Sequence, residues 1–170
     1  GTVATGDLFA TLGVPATLGR GLTSADDRDG AERVLVISHR LWTTRFGGQS
    51  TVIGQSVLLD DIPHVIVGVM PPHFNFPSRE AAYWVPLRLT PSQLEDRSNW
   101  WLRGVGRLKA GVTLAQARAE MNTIAAQLAQ AYPAANQRNG IAVVTLRDEV
   151  SWRSRQMLWA LAGAAVCMLL

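Results

Sequence analysis

A chain of 170 residues, 48% of them hydrophobic and with a net charge of +3, holds enough apolar material for one packed domain or two small lobes, and it is not a disordered or collagen-like polymer. The 16 basic residues are scattered and Lys109 is the only lysine, so the basic stripe or module that nucleic-acid binding requires is missing. The single cysteine, Cys167, excludes a disulfide framework and a cysteine-based zinc site.

Asp7 to Leu12 reads as a short helix, ended by Gly13 with Pro15 beyond it. Gly19 to Gly30 reads as a polar loop carrying Asp26, Asp27 and Asp29. Val34 to Ile37 is an apolar, mostly β-branched strand, and Ser38 caps a helix over His39 to Phe46 that Gly47-Gly48 stops. Beyond Gly54 a strand runs to Leu59, Asp60-Asp61 forms a turn, and Ile62 to Met70 returns, which is a β-hairpin pattern. An aromatic loop, His73 to Pro77, precedes a short strand over Tyr83 to Leu87, placed at a sheet edge because Pro86 has no N–H to donate.

Leu102 to Leu108 reads as another strand and Lys109-Ala110-Gly111 as a turn. Thr113 opens a helix with Gln116 completing a capping box. Its apolar face is Leu114, Ala117, Met121, Ile124, Ala125 and Leu128, and it ends near Tyr132-Pro133. Ile141 to Leu146 reads as a strand. The irregular mixture implies an α+β fold.

Met157 to Leu170 has no charge and no proline and is still apolar where the chain stops. A full span takes about 20 apolar residues, so this run reads as the start of a transmembrane helix rather than a buried core helix. Trp152 and Trp159 suit an interfacial belt. Together with Gly1 in place of Met, the run suggests a fragment of a longer protein. Arg153 and Arg155 beside the run favour a cytoplasmic flank if taken alone, but long loops translocate largely regardless of charge.

The residues that carry chemistry do not assemble into a motif. His39, His64 and His73 fall on three different elements with no metal-ligand spacing. In the acidic loop Gly30 follows Asp29 directly and Glu32 comes too soon for a calcium loop, which leaves a solvated turn. Ser38 lacks the flanking glycines of a nucleophile elbow, and no glycine run matches a phosphate-binding loop. Trp100-Trp101 could stack on a ligand, although neighbouring strand positions send one of the two rings toward a core. No catalytic, cofactor or metal residue is therefore assigned.

Three stretches in order, Gly6 to Asp27, Val34 to Pro77 and Val105 to Pro133, resemble the MacB-type periplasmic core domain of bacterial ABC permeases in the MacB/FtsX-like superfamily. The resemblance implies a two-lobed α+β fold over residues 1–155. Its β-rich, sabre-like lobe covers about 34–89 and its α/β porter-like lobe about 105–146, with a transmembrane helix starting at 156–170. It also implies an inner-membrane protein with this domain on the periplasmic side. ATP would be hydrolysed in a separate subunit or domain, the permease would be dimeric, and a periplasmic adaptor could be a partner. The function implied is coupling of ATP-driven membrane motion to export. The alternatives are an FtsX-like regulatory module that moves no substrate and, ranked lower, a membrane-anchored enzyme domain.

Overall fold

The computed structural model describes residues 1–96, 102–136 and 140–149. They fall into two compact units that divide between Arg107 and Leu108.

The first unit is built on a six-stranded mixed sheet. Its strands are β1 (Thr2–Ala4), β2 (Leu18–Gly19), β3 (Val34–Ile37), β4 (Ser56–Leu59), β5 (Ile62–Val69) and β6 (Tyr83–Pro86). The order is β1-β6-β3-β5-β2, with β4 also on β5. Strand β3 is central, parallel to β5 and antiparallel to β6. The far edge of β5 is shared: β4 pairs with residues 62–65, and β2 with Gly68 and Val69. The register against β3 skips Val67, which bulges. Its carbonyl accepts the Arg20 N–H at 2.8 Å, tying the β2 segment to the bulge. Gly68 is required there, because a Cβ would lie 1.9 Å from the Arg20 carbonyl oxygen.

Every side chain of β3 is buried, and successive residues serve opposite faces. Val34 and Val36 join Phe9, Leu22, Met70 and Trp84 on one face. Leu35 and Ile37 join Val52, Ile66 and Val69 on the other. Helix α1 (Leu8–Leu12) delivers Phe9 to the first face, and helix α2 (His39–Phe46) packs Leu41, Trp42 and Phe46 against the second. The aromatic loop contributes Phe74, whose ring lies 5.2 Å from Trp84 and 5.5 Å from Phe9. The Trp84 indole N–H donates to the Phe76 carbonyl at 3.0 Å, so the buried ring has its polar group satisfied.

The hairpin expected around Asp60-Asp61 is present, with Leu59 opposite Ile62 and Ser56 opposite Val65. Asp60 and Asp61 both have positive φ, 50° and 63°, which identifies the two-residue type I′ turn whose twist suits a hairpin. Ser38 caps α2 by accepting the Leu41 N–H at 3.1 Å. Strand β6 is not an edge: β1 covers its outer side, in parallel. The three-residue β1 carries too little pattern to be noticed in sequence, as does the two-residue β2. Pro86 is tolerated inside the sheet because of where its nitrogen points. The Leu87 N–H donates to Ala4 on β1, so by alternation the Pro86 nitrogen faces β3, where the ladder has already ended at Val36 opposite Trp84.

Leu102 to Leu108, expected as a strand, pairs with no strand among the described residues. Leu102, Val105 and Leu108 are all exposed. Apolar character alone does not make a strand where no neighbour supplies a ladder. The segment is instead tied down by the Arg107 Nε–H, which donates to the Thr11 carbonyl at 3.0 Å. A short helix, α3 (Pro91–Glu95), capped by Thr90, was not foreseen.

In the second unit, helix α4 (Leu114–Ala131) starts with the expected capping box, the Gln116 N–H donating to Thr113 Oγ1 and the Thr113 N–H to Gln116 Oε1. Ala117 is buried, and Leu114, Met121, Ala125 and Leu128 are half-buried. Ile124, expected in the core, is 39% exposed. A one-turn helix, α5 (Pro133–Asn136), follows. Ile141 to Leu146 is not a strand: the Val143 carbonyl accepts from Arg118 of α4, and Thr145 caps a helical turn through the Asp148 N–H. The apolar tail at 157–170 and Trp100-Trp101 lie outside the described residues. Among those described, no helix is long and apolar enough to cross a membrane.

Cutting Trp84 to Ala should cost about 3–5 kcal/mol, as for other buried aromatics. Ile124→Ala should change stability by less than about 1 kcal/mol, as at exposed positions. Denaturant unfolding of the chain separates the two.

Candidate functional site

The acidic loop is not simply solvated. Asp26 is buried and accepts a two-pronged interaction from Arg20, at 2.7 and 2.9 Å, together with the Thr23 N–H at 2.7 Å and the Thr23 hydroxyl at 2.8 Å. Burial alone pushes this carboxyl up. The hydrogen bonds from Arg20 and Thr23, and the Arg20 charge, outweigh that and hold it below the usual carboxylate range. Asp27 differs. Its Oδ2 accepts the Gly6 N–H at 2.8 Å, but its Oδ1 is buried with no hydrogen-bond partner among the described residues. Burial raises its pKa, and the neighbouring Asp7 and Asp26 charges add to the effect. Gly6 lies so close to the loop that a Cβ would fall 2.0 Å from the Thr23 carbonyl group. The loop is thus a folded clasp on the chain just after β1, and of the three aspartates only Asp29 is exposed.

Beside the clasp lies a cleft of about 460 Å³, at the end of the sheet where β3 begins and β6 ends. It follows from the early end of the β3–β6 ladder. Continuing that register would set Leu35 opposite Val85 and Val34 opposite Pro86, which has no N–H, and the ladder stops short of them. Val34, Val85 and Pro86 form the apolar part of the lining, and Asp29, Arg33, His64 and Arg88 the polar part. Arg88 is held by backbone: its Nε–H donates to the Asp26 carbonyl at 3.1 Å, and its Nη2 to the Glu32 carbonyl. Among the described residues no carboxylate pairs with Arg88 or Arg33, the ion pair there being Arg20 with Asp26.

The histidines stay apart. His39 sits at the start of α2 with its ring edge-on to Trp42, His64 is on β5 with Nδ1 2.9 Å from the Ile62 carbonyl oxygen, and His73 is exposed in the aromatic loop. Among the described residues no three metal-ligating side chains cluster. Sequence reading missed the clasp and the cleft, because Arg88 reaches the loop from 62 residues away and the pairing of Arg20 with Asp26 inside the loop carries no recognised motif. The only local sign was the short Thr23-x-x-Asp26 spacing.

A mixed sheet covered on both faces, with a polar cleft at one end, defines an α+β domain. The model of the MacB-like periplasmic core domain, a domain of ABC transporter permeases, matches residues 1–124, and the chain belongs to that family. Among solved structures it is similar to the periplasmic region of MacB from Actinobacillus actinomycetemcomitans, at 18% identity and a TM-score of 0.49, covering 78% of this chain and 56% of that one. It is also similar to a domain of a permease protein from Porphyromonas gingivalis, at 17% identity and a TM-score of 0.50, covering 87% of this chain and 69% of that one. At these identities the likeness concerns the fold alone. The chain thus spans little more than half of the MacB periplasmic region. No curated protein matches it.

The two aspartates should respond to pH with opposite signs. Asp26, depressed in the folded state, contributes stability that is present above its unfolded pKa and lost as pH falls through the folded value. Asp26→Asn should therefore destabilise the chain at pH 7 and much less near pH 2 (about two units below an ordinary Asp). Asp27, raised in the folded state, costs stability at neutral pH. Asp27→Asn, which keeps an acceptor for Gly6, should leave the pH 7 unfolding midpoint unchanged or higher. Thermal unfolding across pH reads both.

Proposed function

We propose that this chain is an extracytoplasmic coupling domain of a bacterial ABC-type permease. The observation that carries the reading is the family match over residues 1–124, which spans the whole double-faced sheet of the first unit and most of α4. ATP hydrolysis in a separate subunit or domain moves membrane helices. The segment after residue 146 passes that motion outward, and the lobes act on a substrate or a periplasmic partner. In this reading residues 34–89 belong to the β-rich lobe and 105–146 to the porter-like lobe. The domain sits on the periplasmic side of the inner membrane, in a dimeric permease. A rigid body suits the role, since a sheet clamped on both faces transmits displacement without deforming. The polar cleft favours a second reading, a regulatory binding module that moves no substrate.

The test is made in the intact permease with its ATPase. Trp84→Ala, which disrupts the sheet core, should abolish ATP-driven output while ATP hydrolysis persists. Output retained with this domain demonstrably unfolded would end the coupling role. His39→Ala and His73→Ala should leave output nearly unchanged. Loss of output from either, with folding and assembly intact, would argue for an enzyme.

A further inference from the structure

We propose that the cleft between β3 and β6 binds a carboxylate group. Its cationic side is built into the fold. Arg88 is fixed by two loop carbonyls, and the Asp27 carboxylate lies near enough to feel its charge but forms no ion pair with it. Arg33 and His64 line the same cleft, so two guanidinium groups, neither paired with a carboxylate among the described residues, share one concavity. A guanidinium fork matches a carboxylate in shape and charge. The apolar wall of Val34, Val85 and Pro86 gives a short aliphatic stem a place to lie. Asp29 stands on the same lining and opposes an anion. It therefore limits affinity for an anion. A volume of about 460 Å³ accommodates a short dicarboxylate or a single acidic side chain with its flanking backbone. This assignment is independent of whether the domain couples transport.

Two sources of carboxylate are separable by titration of the isotopically labelled 170-residue chain, followed by NMR. The probes are the capped peptide acetyl-Gly-Glu-Gly-amide, its Gln counterpart, and free glutarate. Saturable shifts confined to the amides of residues 29–34, 64 and 85–88 are expected with the Glu peptide and not with the Gln peptide. Glutarate binding more tightly than the peptide would assign the cleft to a small solute, and the reverse order to an acidic side chain of a partner protein. Arg33→Gln, at an exposed position, should weaken binding about tenfold, the loss of one charge-assisted contact. Asp29→Asn should tighten it. No saturable shift with either carboxylate, equal shifts with the Gln peptide, or an unchanged affinity in Arg33→Gln would overturn the assignment.

Discussion

The first unit depends on one four-residue strand having no exposed side. Each of Val34, Leu35, Val36 and Ile37 is at most 1% exposed, and each buried side chain of this kind contributes about 1.5–3 kcal/mol. Residues of one strand alternate between faces, so burying all four requires two separate covers. The acidic clasp, α1 and the aromatic loop provide one, and α2 with the short turn Ser50–Val52 provides the other. The strand also has neighbours on both edges, β5 and β6. Both of its ends are therefore fixed in place. At one end Ser38 passes directly into α2, and at the other Arg33 opens the cleft.

The clasp shows how two adjacent carboxylates are given different characters. Asp26 faces a guanidinium, a hydroxyl and an amide, which together offset the cost of removing it from water. Asp27 meets one amide and is left with a buried oxygen that no described residue satisfies. The first holds the loop in place, and the second makes the same loop less stable than its shape permits. Because Arg88 donates to this loop from beyond β6, the clasp also sets where the cleft's fixed cation stands.

Local pattern made much of the fold legible. The run Val34 to Ile37, the Ser38 and Thr113 caps, and the paired aspartates between two apolar runs each identify an element through neighbouring residues alone. The misreadings have a common cause. Leu102 to Leu108 and Ile141 to Leu146 look like strands by composition, yet a strand exists only where another strand receives its hydrogen bonds, and sequence does not show the partner. Pro86 was placed at an edge for a sound reason, but the reason applies to one side of one residue and not to the whole strand. Ile124 has helical spacing, but the described residues provide no element to cover it. The clasp and cleft were hidden in the same way. Arg20 and Asp26 share one loop, but Gly6, Arg33, His64 and Arg88 come to it only after the sheet has formed.

Strand β4 pairs with β5 along one edge, and among the described residues its other edge has no strand. Leu58 on it is 67% exposed. Such an edge is a template for joining another copy of the chain, strand to strand, into an aggregate. The type I′ turn places Asp60 and Asp61 at its end. A second copy pairing antiparallel in full register would extend past these charges, and one pairing parallel would set like charges side by side. Carboxylates at the tip therefore protect solubility as well as shaping the turn. Asn-Gly, the commoner sequence for this turn, would form the same hairpin without that protection.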